Sequence, residues 1–176
     1  MPPLLKPIEC TVLTLDSAGE PGDLDRDVTA GRRRILRAAA LCGVPTFQAA
    51  RERSHARIDD SPASHQPIYS PPMPGSPWTE TPLGLALAKT SRTSLLISGY
   101  WLDECITFTA LNALGEGYDI FLLTDASPPL DPAERHMAIL RLVQAGIVPT
   151  TTRQALREWA AEISDGHLRD QLLALL

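Results

Sequence analysis

SLLISGYWLDECITFTALNALGEGYDIFLL, residues 94–123, holds two short apolar runs with a helical stretch between them. Ser94 to Gly99 reads as a buried strand, Tyr118 to Leu123 as a second, and Cys105 opens the intervening helix. Strand, tight turn, helix and strand make a βαβ unit. Ligands of open parallel sheets bind outside the carboxyl ends of the strands, which is where this unit carries its thiol.

The alternation extends in both directions. Upstream, Cys10 to Leu15 reads as a buried first strand with Asp16 at its carboxyl end, where an aspartate serves equally to cap a turn. The loop DSAGEPG that follows lacks the GxGxxG fingerprint, which argues against a nicotinamide or flavin site. Leu24 to Leu41 places Val28, Ile35, Leu36, Ala39 and Leu41 among arginines, the pattern of an amphipathic helix that Gly43 ends. Within it, Arg32, Arg33, Arg34 and Arg37 read as a mostly solvated face. Val44 to Ala50 is a plausible second strand.

Residues 51–77 are rich in Pro, Ser and charge, a loop long enough to cover an active site, with one short strand within 67–70. His55 and His65 lie in it at no recognisable ligand spacing, so no metal is expected. A helix over 81–90 has Pro82 in its first turn. Downstream, Asp131 caps and Pro132 opens a helix running to Gln144, and Gly146 stops it. A short strand over 147–149, a helix over 153–163 and an apolar terminal helix over 168–176 complete the chain. The terminal helix must pack on its own domain or at a subunit interface.

Composition narrows the function classes. With 176 residues the chain suits one domain, and its net charge of −5 argues against a nucleic-acid partner. No apolar run approaches the ~20 residues of a membrane span, so no membrane partner is expected. The cysteines Cys10, Cys42 and Cys105 are odd in number, widely spaced and without a CxxC, which fits a reducing cytoplasm better than a disulfide framework or a zinc knuckle. Cys10 and Cys42 read as structural. Cys105 needs help to react, because only the thiolate is nucleophilic and an ordinary thiol titrates at about 8.5. A helix N-terminus favours the anion by roughly 0.3–1 kcal/mol and a cation at ~4–6 Å by 1–3 pKa units. Asp103 and Glu104 oppose it.

In these residues the chain resembles the isochorismatase-like cysteine hydrolases, most closely their YcaC-like branch. The likeness covers roughly Glu9 to Ala160 and is densest from Trp78 to Ala126, in LLISG, the turn into EC, and ALNALGEGYDIFLLTDAS. It returns in RHMAILRLVQAGIVPTTTRQALREWA, with its Arg135–His136 pair. The resemblance implies a three-layer αβα, Rossmann-like fold, one domain over residues 1–176, with a six-stranded parallel sheet in the order 3-2-1-4-5-6. It also implies a cysteine hydrolase acting without a cofactor on an amide- or imide-type C–N bond of a small molecule, and assembly as a homo-oligomer. Asp16 and Cys105 take the family's catalytic positions, and Tyr100, Trp101, Leu102 and Trp78 are expected to bind substrate. Tyr100 and Trp101 would flank the family's non-proline cis peptide. The family's Lys or Arg falls at or next to Pro71, and no Lys or Arg occurs between Arg57 and Lys89. Ala18, Leu102 and Glu104 also depart from the family pattern. Two readings follow: a hydrolase with an altered triad, or a degenerate member kept as a ligand-binding or oligomeric partner protein.

Overall fold

The structure is a computed structural model that describes residues 4–16, 26–50, 67–71 and 77–176. Ala18, Arg51, Arg53, His55, His65 and most of the expected loop over 51–77 lie outside the described residues.

Every described strand joins one parallel sheet. The strands are β1 Cys10–Asp16, β2 Thr46–Ala50, β3 Ile68–Tyr69, β4 Ser94–Gly99, β5 Asp119–Leu123 and β6 Val148–Thr150, in the order β3-β2-β1-β4-β5-β6. The chain winds outward from β1 to one edge and then from β4 to the other, so the strand order reverses between β1 and β4. That crevice is the ligand position of a doubly wound sheet. β1 and β4 run as continuous apolar segments because helices cover both of their faces.

Period-two alternation sorts the two cores. Leu13, Leu15, Leu95 and Ile97 face α2 Pro82–Ala88, α3 Thr107–Gly115 and α4 Arg135–Ala145. Cys10, Val12 and Leu96 face α1 Arg26–Cys42, α5 Thr152–Glu162 and α6 Gly166–Leu173, where Trp159 is the largest fully buried side chain. Each fully buried Leu or Ile contributes roughly 1.5–3 kcal/mol. Local chemistry marks the helix ends. Thr81 caps α2 through Gly84 N, Asp165 caps α6 through His167 N and Leu168 N, and Gly146 ends α4 with φ +102°.

The terminal helix packs on its own fold. Leu172 is buried, Leu175 and Leu176 lie against the same core, and Arg34 Nε donates to Leu175 O at 3.1 Å. Among the described residues, no helix is long and apolar enough to cross a membrane.

Candidate active site

Asp16 ends β1 at the carboxyl edge of the sheet, and alternation turns it toward α1 along with Val12 and Cys10. There it meets Arg32, whose Nη2 lies 2.5 Å from Asp16 Oδ1. The second oxygen, Oδ2, accepts from Gln48 Nε2 at 2.5 Å. Gln48 is delivered by register, because β2 pairs Gln48 with Thr14 and Ala50 with Asp16. Both charged side chains are buried, with 6% and 8% exposed, so neither tolerates loss of the other without a large penalty.

This corrects the reading of the arginine cluster as a solvated face. Arg33 and Arg37 are exposed, but Arg32 is buried at 5% exposure. It lies one turn after Val28 and one before Ile35, inside the stripe that α1 buries. The guanidinium also sits 5.2 Å from the centroid of the Tyr100 ring, a cation–π contact. Among the described residues its Nε is buried and meets no hydrogen-bond partner.

Tyr100 belongs to the turn that carries the thiol. Gly99 has φ +130°, the Tyr100–Trp101 peptide is cis as expected, and Tyr100 N donates to Leu15 O at 2.9 Å. The turn after β4 is thereby clamped to the residue preceding Asp16. Leu102 N then donates to Pro128 O at 2.9 Å. From Leu102 to Ile106 the chain makes one wide turn: Ile106 N reaches Trp101 O at 3.1 Å, and Thr107 N and Oγ1 both reach Leu102 O. A π-type turn of this kind is frequent at functional sites. Cys105 sits in it half-buried, at the N-terminal end of the α3 region, where backbone N–H groups favour an anion.

The two acids beside the thiol have different surroundings. Asp103 accepts from Leu130 N at 2.8 Å and Asp131 N at 3.3 Å, tying down the loop after β5 rather than capping the helix. Glu104 is exposed. The other two cysteines are disfavoured as thiolates by burial. Cys10 is fully buried and its thiol is pushed up to about 12, mainly by burial, with the Trp159 side chain pulling the other way through a hydrogen bond. Burial also pushes the Cys42 thiol up.

Asp16, Cys105, Tyr100 and half-buried Trp101 all follow the carboxyl ends of the paired strands β1 and β4, with Cys105 packed against the core on the α3 side. The Tyr100 ring is 6% exposed and taken up by Arg32 and by Trp101, edge-on at 5.2 Å. Two expected ligand contacts are elsewhere. Trp78 is buried in the core and meets Tyr118, before the amino end of β5, because Gly84 admits its backbone against α2. Leu102 is fully buried with the same core, so its side chain offers no surface to a ligand. Pro71 is half-buried and uncharged, and Lys89 is exposed at the end of α2. Arg32 and Gln48 are the residues that sequence reasoning missed. The place of Arg32 within the apolar stripe of α1, and of Gln48 on the Asp16 side of β2, were the available signals. Among the described residues, no group of three or more His, Cys, Asp or Glu is arranged to hold a metal ion.

Residues 73–154 match the family model of the isochorismatase domain. The probable hydrolase YcaC of Escherichia coli (strain K12) is 39% identical over 69 residues, which are 39% of this chain and 33% of that protein. The matched stretch thus spans about a third of the length of that curated relative. Among solved structures, the E. coli YcaC gene product, described as an octameric hydrolase of unknown specificity, aligns with TM-score 0.78 at 22% identity. The alignment covers 98% of this chain and 90% of that one. YcaC from Pseudomonas aeruginosa, with hexane-2,5-diol and covalent acrylamide, aligns with TM-score 0.75 at 20% identity over 99% and 92%. At these identities the structural likeness concerns the fold.

Proposed function

We propose that the chain is a member of the isochorismatase-like family, whose domain model residues 73–154 match, and that it is a Cys105-dependent hydrolase of a small amide- or imide-type C–N bond. The observation that carries the reading is the placing of Cys105 in the wide first turn after β4, clamped through Tyr100 N–H to the β1 residue that precedes Asp16. Nucleophile and acid–base group then come from adjacent strands at the crevice where such sheets take ligands.

The chemistry runs in two halves. Asp16 accepts the thiol proton as Sγ attacks the carbonyl carbon, and the C–N bond breaks as the departing nitrogen takes that proton. Water then adds to the thioester, releasing a carboxylic acid and returning the proton to sulfur. Arg32 and Gln48 each occupy one direction at one Asp16 oxygen, and a carboxylate has about four such directions, so a proton can still be received. Backbone N–H groups of the turn are the natural donors to the oxyanion that develops. Trp101, half-buried at the rim, gives an aromatic wall for the substrate.

The test uses small primary amides and imides, with release of ammonia or amine as readout. Wild type consumes at least one of them, Cys105→Ala consumes none, and iodoacetamide modifies Cys105 near pH 7 faster than a small free thiol. The covalent acrylamide of the P. aeruginosa neighbour motivates the same probe chemistry. A Cys105 no faster than a free thiol would sink the nucleophile reading.

A second reading, ligand binding without turnover, is favoured by uncharged Pro71 at the family's cation position. It requires that ligand affinity survive Cys105→Ala while no amide is consumed by wild type. Under either reading the chain forms a homo-oligomer, as its octameric E. coli neighbour does. Met137, Leu140 and Val143 leave an exposed apolar stripe on α4 that suits such a contact, and light scattering decides it.

A further inference from the structure

Resting on the nucleophile reading above, we propose that Arg32 is the cation of the Cys105 site, supplied from α1 instead of from the position that Pro71 occupies. It is a positioning residue that acts through Asp16 and Tyr100. Three features of one buried side chain converge on this role: contact with Asp16 Oδ1 at 2.5 Å, stacking on Tyr100 at 5.2 Å, and an Nε without a partner among the described residues. Asp16 is the acid–base group, and Tyr100 starts the turn that holds the thiol. One guanidinium therefore compensates the first and packs the second. A solely structural arginine of α1 is also present for comparison. Arg34 donates to Leu175 O and Thr152 Oγ1 and faces Asp125, linking α1 to α5, α6 and the β5 loop.

The charge arithmetic gives the expected sign. The described charged groups on the elements around the thiol include Asp16 on β1, Arg32 on α1, Asp103 and Glu104 on its own turn, and Arg135 and His136 on α4; of the others on α1 and α4, Arg26, Asp27, Arg33, Arg37 and Arg141 are exposed and Arg34 is bonded to Leu175 O and Thr152 Oγ1. Asp103 is spent on Leu130 and Asp131, Glu104 and His136 are exposed, and Arg135 donates to Thr124 O and Ser127 O. Deleting the positive charge of Arg32 leaves the negative charge of Asp16 uncompensated, which disfavours the thiolate and moves its titration upward.

The experiment is the pH profile of iodoacetamide modification at Cys105, read by mass spectrometry of its peptide, with circular dichroism as the check on folding. The variants are Arg32→Lys, Arg32→Met, and Arg32→Met combined with Asp16→Asn. Arg32→Met is expected to raise the midpoint by about one pH unit and to slow modification at pH 7 about tenfold. Arg32→Lys is expected to stay within about threefold of wild type, and the double variant to recover most of the loss because both charges are gone. Arg34→Met, a loss of structural bonds alone, is expected to leave the midpoint in place. If Arg32→Met does not fold, the double variant and Arg32→Lys decide: a tenfold loss in either overturns the proposal. A reactive wild-type Cys105 unmoved by Arg32→Met overturns this proposal alone. A wild-type Cys105 with an ordinary thiol profile overturns the nucleophile reading and this one with it.

Discussion

Gly99→Ala tests the clamp between β1 and the thiol turn. Gly99 has φ +130°, and a Cβ placed there overlaps Leu15 O and lies 2.6 Å from Leu15 N and 2.7 Å from Leu15 C. All three are backbone atoms of a strand paired on both sides, so nothing flexible can yield. The positive φ alone costs a non-glycine residue about 1–3 kcal/mol. Moving the turn off β1 also weakens the Tyr100 N to Leu15 O bond, worth about 0.5–1.5 kcal/mol net. Together these give roughly 1.5–4.5 kcal/mol, or about 3–18 °C in Tm at ~2–4 °C per kcal/mol for a chain of this size. Gly43→Ala is the control, because Gly43 has φ +64° with nothing within 4 Å of its would-be Cβ. It is expected to lose about 1 kcal/mol. Urea unfolding followed by circular dichroism measures both, and iodoacetamide modification of Cys105 in the folded variant should slow as the turn shifts. Equal losses at the two glycines would refute the wedge of the thiol turn against β1.

The remaining expectations concern Cys10 and Asp103. The Cys10 thiol rises from an ordinary 9.0 to about 12 in the fold, so the native state keeps a proton that the unfolded chain gives up. Its contribution to stability is therefore complete below about pH 9 and is lost at about 1.4 kcal/mol per pH unit as pH rises toward 12. Urea unfolding at pH 8 and pH 10 should show a drop of about 1 kcal/mol in wild type beyond that in Cys10→Ala, and parallel losses would contradict it. Asp103→Ala removes the acceptor of Leu130 N and Asp131 N. These exposed bonds are worth about 1 kcal/mol together, so hydrogen exchange at the two amides should quicken roughly fivefold. Unchanged exchange would mean that the loop is held by other contacts.

The fold was legible because each strand and helix announced itself locally. CTVLTL and SLLISG are apolar runs of strand length, Pro82 and Pro132 mark helix starts, and Gly43 and Gly146 mark helix ends. The same runs set strand register, and the family resemblance supplied the order that periodicity cannot. Asp16 and Cys105 were legible as candidates because both sit at strand or helix ends flanking one crevice. Trp78 and Leu102 misled because their neighbourhood in sequence pointed to the site while their side chains point into the core. An apolar residue beside a functional one has two faces to choose from, and burial takes the core side.

Arg32 was missed for the opposite reason. A run of arginines on a helix normally lies in water, since an isolated buried charge is prohibitively costly, and Arg33 and Arg37 obey that rule. What overrides it at Arg32 is a partner from strand β1. Asp16 is sixteen residues earlier in sequence and equally buried, and an aromatic ring covers the guanidinium. The helical period shows that Arg32 falls between Val28 and Ile35 on the buried stripe, but only the pairing explains why it stays there. On the proposal made for Arg32, a cation absent from one loop is replaced from an element whose buried face reaches the same carboxylate, and Pro71 marks a change in where the charge comes from. Whether the site still turns over rests on Asp16 keeping a direction free for the proton of Cys105, beside Arg32 and Gln48.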